Sequence, residues 1–288
     1  VGVGRRGQAL IVDAHIHFWR LARGDNSALS PLMAPLWRDQ EPADLRPQLQ
    51  VCGVDRIVVV QAAETLSENL YTLGLAARTP WIAGVVGWID LASPSLVEEI
   101  AALRATGKLV GFRPVRDDNR SIAWMLDGRL TAGYRAMAEA GLTLDVLVQN
   151  PDELPLATHL AARHPALTIV LDHCGKPDIK GGRFEPWATD LAAVAQHPNV
   201  ACKLSGLPNQ AAPGAGAEVL RPYADHVLTQ FGPARTLWSS DWPPLLLSSD
   251  YQAWWAMTRD LLAGLDESAR RAVLGGTAAR VYGLGERS

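Results

Sequence analysis

The sequence predicts an α/β fold, a (β/α)8 barrel, and three observations predict it. Short β-branched or apolar runs alternate with stretches of helical spacing, the mark of βαβ units around a parallel sheet. Eight such runs occur, and 288 residues is a length at which one barrel accommodates them all. None is followed by the glycine pattern of a phosphate-binding loop, which a doubly wound open sheet would carry.

The predicted strands are, in order, Leu10–His17, Arg56–Gln61, Ile82–Ile89, Leu109–Pro114, Thr143–Gln149, Thr168–His173, Val200–Leu204 and Thr236–Asp241. Between them, helical spacing joins Leu96, Ile100 and Leu103 after Pro94, and runs through Leu160 to His164 after Asn150-Pro151-Asp152. Several helices are expected to end at glycine just before the next strand, at Gly53, Gly107, Gly141 and Gly232. The whole chain, 1–288, reads as one domain, with residues 1–9 expected to be flexible. The loops after the strands are unequal. Phe18–Pro42 is long and bears tryptophan, and Val115–Arg129, Asp178–Glu185 and Pro208–Ala217 are also long enough to cover a pocket.

Composition excludes several classes. With 27 basic against 30 acidic residues and a net charge of −3, there is no field to gather nucleic acid or an anionic membrane surface. No apolar stretch approaches the roughly 20 residues of a membrane span, and the start, Val1 to Gln8, lacks a signal peptide's apolar stretch. Cys52, Cys174 and Cys202 form no CxxC pair, which speaks against a disulfide framework or a thiolate zinc site and points to a reducing cytoplasm. Homo-oligomerisation is left open.

Barrel enzymes do their chemistry at the strands' C-terminal ends, and polar residues collect there. His15 and His17 end strand one within Asp13-Ala14-His15-Ile16-His17, Gln61 strand two, Trp88 and Asp90 strand three, and Arg113 strand four. Gln149, His173, Lys203 and Asp241 end the remaining four. The period of two puts His15 and His17 on one face, and the same alternation puts Asp13 there, one step deeper. Asp13 can then orient an imidazole or tie the barrel. Cys174 and the helical His159, His164, His197 and His226 read as structural, and Trp254-Trp255 as helix packing.

Six motifs in this order, VDAHIHFW, GWIDL, GFRPV, LDHCGKP, KLSGL and SSDWP, resemble the amidohydrolase superfamily of distorted TIM barrels. More narrowly, they resemble its amidohydrolase-2 branch, with its L-fucono- and L-rhamnono-lactonases and 2-pyrone-4,6-dicarboxylate lactonases. The resemblance implies a small-molecule lactone as substrate. Lactone hydrolysis needs an activated water, a polarised carbonyl and a proton for the leaving oxygen. Asp241 is the expected base and acid, because Trp242-Pro243-Pro244 gives it no helix to cap. His15, His17 and His173 either bind one divalent ion, zinc, together with Asp241, or donate hydrogen bonds without metal. Metal-rich members usually carry a further His after strand five and often Lys or Glu after strand four. Gln149 and Arg113 stand there instead, which argues against a binuclear centre.

Arg113, Gln61, Trp88, Gln149, Lys176, Lys203 and Trp242 are the expected substrate contacts, with Trp19, Trp88, Trp124 and Trp242 at loop mouths where rings can stack on a sugar or pyrone. The expected reaction is opening of a sugar-acid lactone of the L-fucono or L-rhamnono type. A dicarboxylated pyrone would ask for more cations, which Arg116 and Arg120 can supply. Lactone isomerisation, decarboxylation and a non-enzymatic binding module are the other readings.

Overall fold

Valine, isoleucine and leucine fill the eight runs, so both faces of each strand have to be covered, which a parallel sheet screened by helices achieves. The computed structural model describes residues 9–115 and 121–285. The strands are β1 (Val12–Ile16), β2 (Arg56–Val60), β3 (Ile82–Gly87), β4 (Leu109–Phe112), β5 (Thr143–Val146), β6 (Ile169–Leu171), β7 (Val200–Leu204) and β8 (Thr236–Trp238). They pair in sequence order in one eight-stranded sheet, every pair parallel. Each lies inside its predicted run. Most stop short of the predicted end, because residues such as His17, Gln149 and Asp241 leave the ladder to shape the mouth. Apart from Ala9, the start expected to be flexible lies outside the described residues.

The helices are α1 (Pro42–Cys52), α2 (Leu66–Arg78), α3 (Leu96–Arg104), α4 (Thr131–Glu139), α5 (Leu154–Arg163), α6 (Trp187–Ala195), α7 (Leu207–Gln210), α8 (Ala217–Phe231), α9 (Tyr251–Leu261), α10 (Glu267–Arg271) and α11 (Thr277–Val281). Their starts follow local chemistry. Glu41 and Asp44 cap α1 reciprocally, Thr65 accepts from Glu68 N at α2, and Asp250 accepts from Ala253 N at α9. The four predicted glycines all adopt positive φ between the helices and the strands after them.

Two clusters of buried side chains divide the barrel. An outer one, with Ile16, Ile57, Val59, Phe112 and Trp238, joins strands to helices. An inner one, with Val12, Ala14, Val58, Val60, Val86 and Leu237, is completed by Ala278, Tyr282 and Leu284 from α11 and the residues after it.

These clusters overturn the simple alternation expected for the first strand. Asp13 pairs with Ile57 and Ile16 with Val59, so β1 advances three residues while β2 advances two. The extra residue is a β-bulge, which re-aims the side chains beyond it. Ala14 and His15 consequently both turn inward, while Asp13 points outward to α9 and not to the imidazoles. Further register shifts lie between β2 and β3 and between β3 and β4, which is the distortion expected of the barrel.

The gap between β8 and β1 is closed by residues just past β8. Asp241 N donates to His15 O (3.0 Å) and His17 N to Trp242 O (2.8 Å). Asp13 locks this seam, accepting from Ser240 N (2.9 Å) and the Tyr251 hydroxyl (2.8 Å), and burial pushes its carboxyl up to about 6. Tyr251→Phe should therefore lower the unfolding free energy by about 1–3 kcal/mol, since a buried acceptor loses its donor. Urea denaturation measures this, and an unchanged midpoint would show that the seam does not need the hydroxyl.

Candidate active site

The bulge and the seam bring the first and last motifs together. His15 Nε2 lies 3.0 Å from His17 Nε2, and Asp241 Oδ1 is 3.7 Å from the first and 3.5 Å from the second. His173 Nε2 stands 3.9 Å from Asp241 Oδ2, with its Nδ1 held 2.9 Å from Ser205 Oγ. All four expected catalytic residues are buried at one point.

The backbone is strained to place them. His173, Cys174, Gly175 and Lys176 are successively left-handed, with φ of 51°, 54°, 66° and 51°, and Asp241 has φ 58°. Each non-glycine residue there costs roughly 1–2 kcal/mol, so the surroundings must hold it. Trp187 Nε1 donates to Cys174 O (2.8 Å), and Cys174 Sγ to Lys203 O (3.3 Å). Gly206, itself at φ 70°, lies so close beneath the ring that a Cβ would come within 2.7 Å of His173 Cβ. Cys174 thus has a structural part, as expected.

Below the imidazoles runs a buried polar column. Lys203 Nζ reaches Asp145 Oδ2 (2.6 Å), Asp172 Oδ1 (2.9 Å) and His15 Nδ1 (3.0 Å). Thr143 Oγ1 and the Tyr282 hydroxyl donate to Asp145 as well, at 3.0 and 2.7 Å. Arg113 Nη1 lies 3.3 Å from Asp172 Oδ2, and its Nη2 donates to Gln61 O (2.9 Å). Gln61 returns a hydrogen bond to Arg113 O (3.0 Å), so it braces the arginine. Burial lowers His15 far below its usual value, and the Lys203 ammonium adds to this, leaving the ring neutral. Burial alone would raise Asp241, but its neighbours, His173 foremost and with it the Arg113 guanidinium, outweigh burial and lower it.

Above them lies a cavity of about 230 Å³ lined by His17, Asn26, Ala62, Arg113 and Pro244, with Trp19, Ala28, Leu29, Met33 and Leu36 from the first long loop. That loop does cover the pocket. It is anchored where Arg23 Nη2 meets Glu68 Oε2 (2.9 Å), while Glu68 Oε1 accepts from Ala62 N (2.9 Å).

Other expected contacts are placed differently. Lys203 is fully buried and spent on its three partners, so it cannot meet a substrate. Trp242 is also buried, its ring 5.9 Å from that of Phe18, and it is not among the cavity's lining residues. Trp88, half-buried, donates to Val115 O (2.8 Å). Gln149 follows β5, its amide N donating to Glu153 Oε2 (2.7 Å) and its buried Nε2 without a protein partner among the described residues. Lys176 is half-buried, and burial lowers its ammonium pKa. Arg116 and Arg120 lie outside the described residues. The sequence reading missed Asp145, Asp172, Ser205 and Tyr282. Asp145 had a signal, a lone acid inside an apolar run.

Whether these residues suit a divalent ion depends on where their lone pairs point. Ligand atoms of His15, His173 and Asp241 lie within 4.8 Å of one another, a His/His/Asp group. His15 Nδ1 faces both the Lys203 ammonium (3.0 Å), toward which it would accept, and Asp172 Oδ1 (3.4 Å), toward which it would donate. A carbonyl only accepts, so His17 Nδ1 donates to Val60 O (2.9 Å) and its Nε2 presents a lone pair toward the site. With its hydrogen on Nδ1 toward Asp172, His15 leaves Nε2 open, and the donor set of His15, His173 and Asp241 then suits one divalent ion.

The amidohydrolase family model matches residues 12–284. An L-fucono-1,5-lactonase of Burkholderia ambifaria is 40% identical over 277 residues, covering 94% of each chain. One of Burkholderia multivorans is 37% identical over 295 residues, 96% of this chain and 97% of its own. The structure of a Burkholderia multivorans amidohydrolase with bound zinc superimposes with a TM-score of 0.89 at 36% identity, over 96% of this chain and all of that one.

The loop anchor generates a pH dependence. Burial, countered only in part by Arg23, pushes the Glu68 carboxyl up to about 7 from 4.5. The folded chain binds this proton more tightly than the unfolded one, so the carboxyl withdraws stability as pH rises from about 4.5 to about 7, by at most about 3 kcal/mol. Glu68→Gln should flatten the fall in unfolding free energy across that window, and an unaltered slope would remove Glu68 as its source.

Proposed function

The chain belongs to the amidohydrolase family, and from that premise we propose that it hydrolyses a sugar-acid lactone, of the L-fucono-1,5-lactone type, with Asp241 as base and then acid. The observation that carries this is the state of two groups at the cavity floor. The imidazole nitrogens nearest the Asp241 carboxylate stand at 3.5 to 3.9 Å, too far to engage it in a short hydrogen bond. Arg113 lines the cavity, and its buried Nε has no hydrogen-bond partner among the described residues. One is an acceptor for a water's proton, the other a donor for a carbonyl oxygen.

In the proposed reaction Asp241 takes a proton from water as the water oxygen bonds to the lactone carbonyl carbon. The charge that develops on the carbonyl oxygen is met by Arg113, whose fork is fixed by Asp172 and Gln61. The ring C–O bond then breaks, and Asp241 returns its proton to the leaving alkoxide, giving the hydroxy acid. His173, set by Ser205, flanks the carboxylate. The apolar wall of Leu29, Met33 and Leu36 suits the methyl-bearing end of a 6-deoxy sugar acid. On this reading the enzyme serves carbohydrate metabolism in a reducing compartment, the cytoplasm, where its three free thiols persist.

A zinc ion held by His15, His173 and Asp241 would polarise the carbonyl and acidify water. Complete chelation, with elemental analysis confirming removal, is expected to lower turnover and added zinc to restore it, whereas full activity without metal would leave the histidines to act by hydrogen bonding. Asp241→Asn should reduce turnover on an aldonolactone panel by about 10²–10⁴-fold while leaving binding in place. Turnover of 2-pyrone-4,6-dicarboxylate alone, CO₂ release, or a new lactone without ring opening would each replace the proposed reaction.

A further inference from the structure

We propose that Asn26 is the specificity-determining residue of the first loop: its side-chain amide donates to a ring hydroxyl of the lactone, while the apolar residues beside it receive the methyl-bearing end. This deepens the lactonase reading and rests on it for the ring that is bound. Among the described residues that line the cavity, polar side chains belong to His17, Trp19, Asn26 and Arg113, and the rest are apolar. Trp19 Nε1 is spent on Arg38 O (2.8 Å), and His17 stands 3.5 Å from Asp241. Arg113 is taken by the carbonyl oxygen in the proposed reaction. The amide of Asn26 is therefore the neutral donor left for a hydroxyl.

The local backbone decides which end of that amide is free. Ala28 N donates to Asn26 Oδ1 (3.2 Å) and Leu29 N to Asn26 O (3.3 Å), so the turn closes on the residue's own two oxygens. A backbone N–H needs an acceptor, which puts the side-chain oxygen in the turn and leaves the Nδ2 hydrogens without a partner among the described residues. The chain just before is pinned as well. Arg23 Nη2 meets Glu68 Oε2 (2.9 Å) and the Asp25 carboxylate, and Asp25 Oδ2 also accepts from Ser67 Oγ (3.4 Å) in the first turn of α2. The donor thus sits between two fixed points, and little ordering is left to be done when a ligand arrives. A neutral amide beside Leu29 and Met33 of the same loop offsets the desolvation of a hydroxyl but not that of a carboxylate.

The test compares the full-length protein with Asn26→Ala and Asn26→Asp on L-fucono-1,5-lactone and on δ-valerolactone, the same ring without hydroxyls or methyl. Asn26→Asp keeps an oxygen for Ala28 N and removes the donor, so it separates the bond to the substrate from the turn. In both variants KM for the sugar lactone should rise about tenfold with kcat changed less than about threefold, while KM for δ-valerolactone stays within about twofold. An unchanged KM for the sugar lactone in Asn26→Asp, or an equal rise on both lactones, overturns the proposal. Calorimetric binding of the two ring-opened acids, L-fuconate and 5-hydroxypentanoate, makes the same comparison without turnover. A protein that opens neither lactone while its variants lose affinity for L-fuconate alone would refute the lactonase reading and leave Asn26 as a hydroxyl contact. Variants that bind both acids as the unaltered protein does would refute the role of Asn26 and leave the lactonase reading standing, and a protein that opens neither lactone and binds neither acid would refute both.

Discussion

Two main-chain hydrogen bonds, from Asp241 N to His15 O and from His17 N to Trp242 O, close the sheet on itself, and in doing so set the candidate base against the paired imidazoles. Parallel strands leave unpaired edges unless the sheet closes. Here the last strand ends at Trp238, too early to pair with β1, so the residues after it make the closure. Asp13, turned outward by the bulge, caps the joint with Ser240 and Tyr251. Fold closure and site assembly are thus one event, and the left-handed backbone of Asp241 is held by the same bonds that hold the barrel.

Beneath that joint the barrel carries charge where an ordinary one is filled by branched aliphatic side chains. Buried ions are costly unless paired, and here two cations, Lys203 and Arg113, interleave with two carboxylates, Asp145 and Asp172. The pairing is uneven. The Lys203 ammonium leads the neighbours that outweigh burial at Asp172 and keep its carboxyl far below the ordinary range, while burial lifts Asp145. The column's return is rigidity, since every group that touches the cavity floor is backed by one that does not.

Much of the architecture was legible because β-branched runs and helical spacing are local signals. The eight strands fell inside their predicted runs, and the residues expected at the mouth, His15, His17, Arg113, His173 and Asp241, do meet. The features that eluded the sequence depend on register and chain reversal. A bulge adds one residue without any mark in composition, so Asp13 seemed to face inward. The four-residue left-handed turn announces itself only by Gly175. Lys203 and Trp242 were read as substrate contacts because strand-end position alone does not distinguish a side chain that reaches the mouth from one that stops beneath it. Asp145 gives the clue for Lys203, since one isolated acid and one isolated base in apolar strands call for each other.

The seam also has a history in time. Asp13 is 227 residues from Ser240 and 238 from Tyr251, among the longest separations a chain of this size can contain. Such non-local pairings are slow and come late, because loop closure must precede the contacts that reward it. The first strand, made early, waits with an open edge until the eighth arrives. A partly built barrel is therefore catalytically silent and adhesive at once, and the step that removes the hazard also switches on the chemistry.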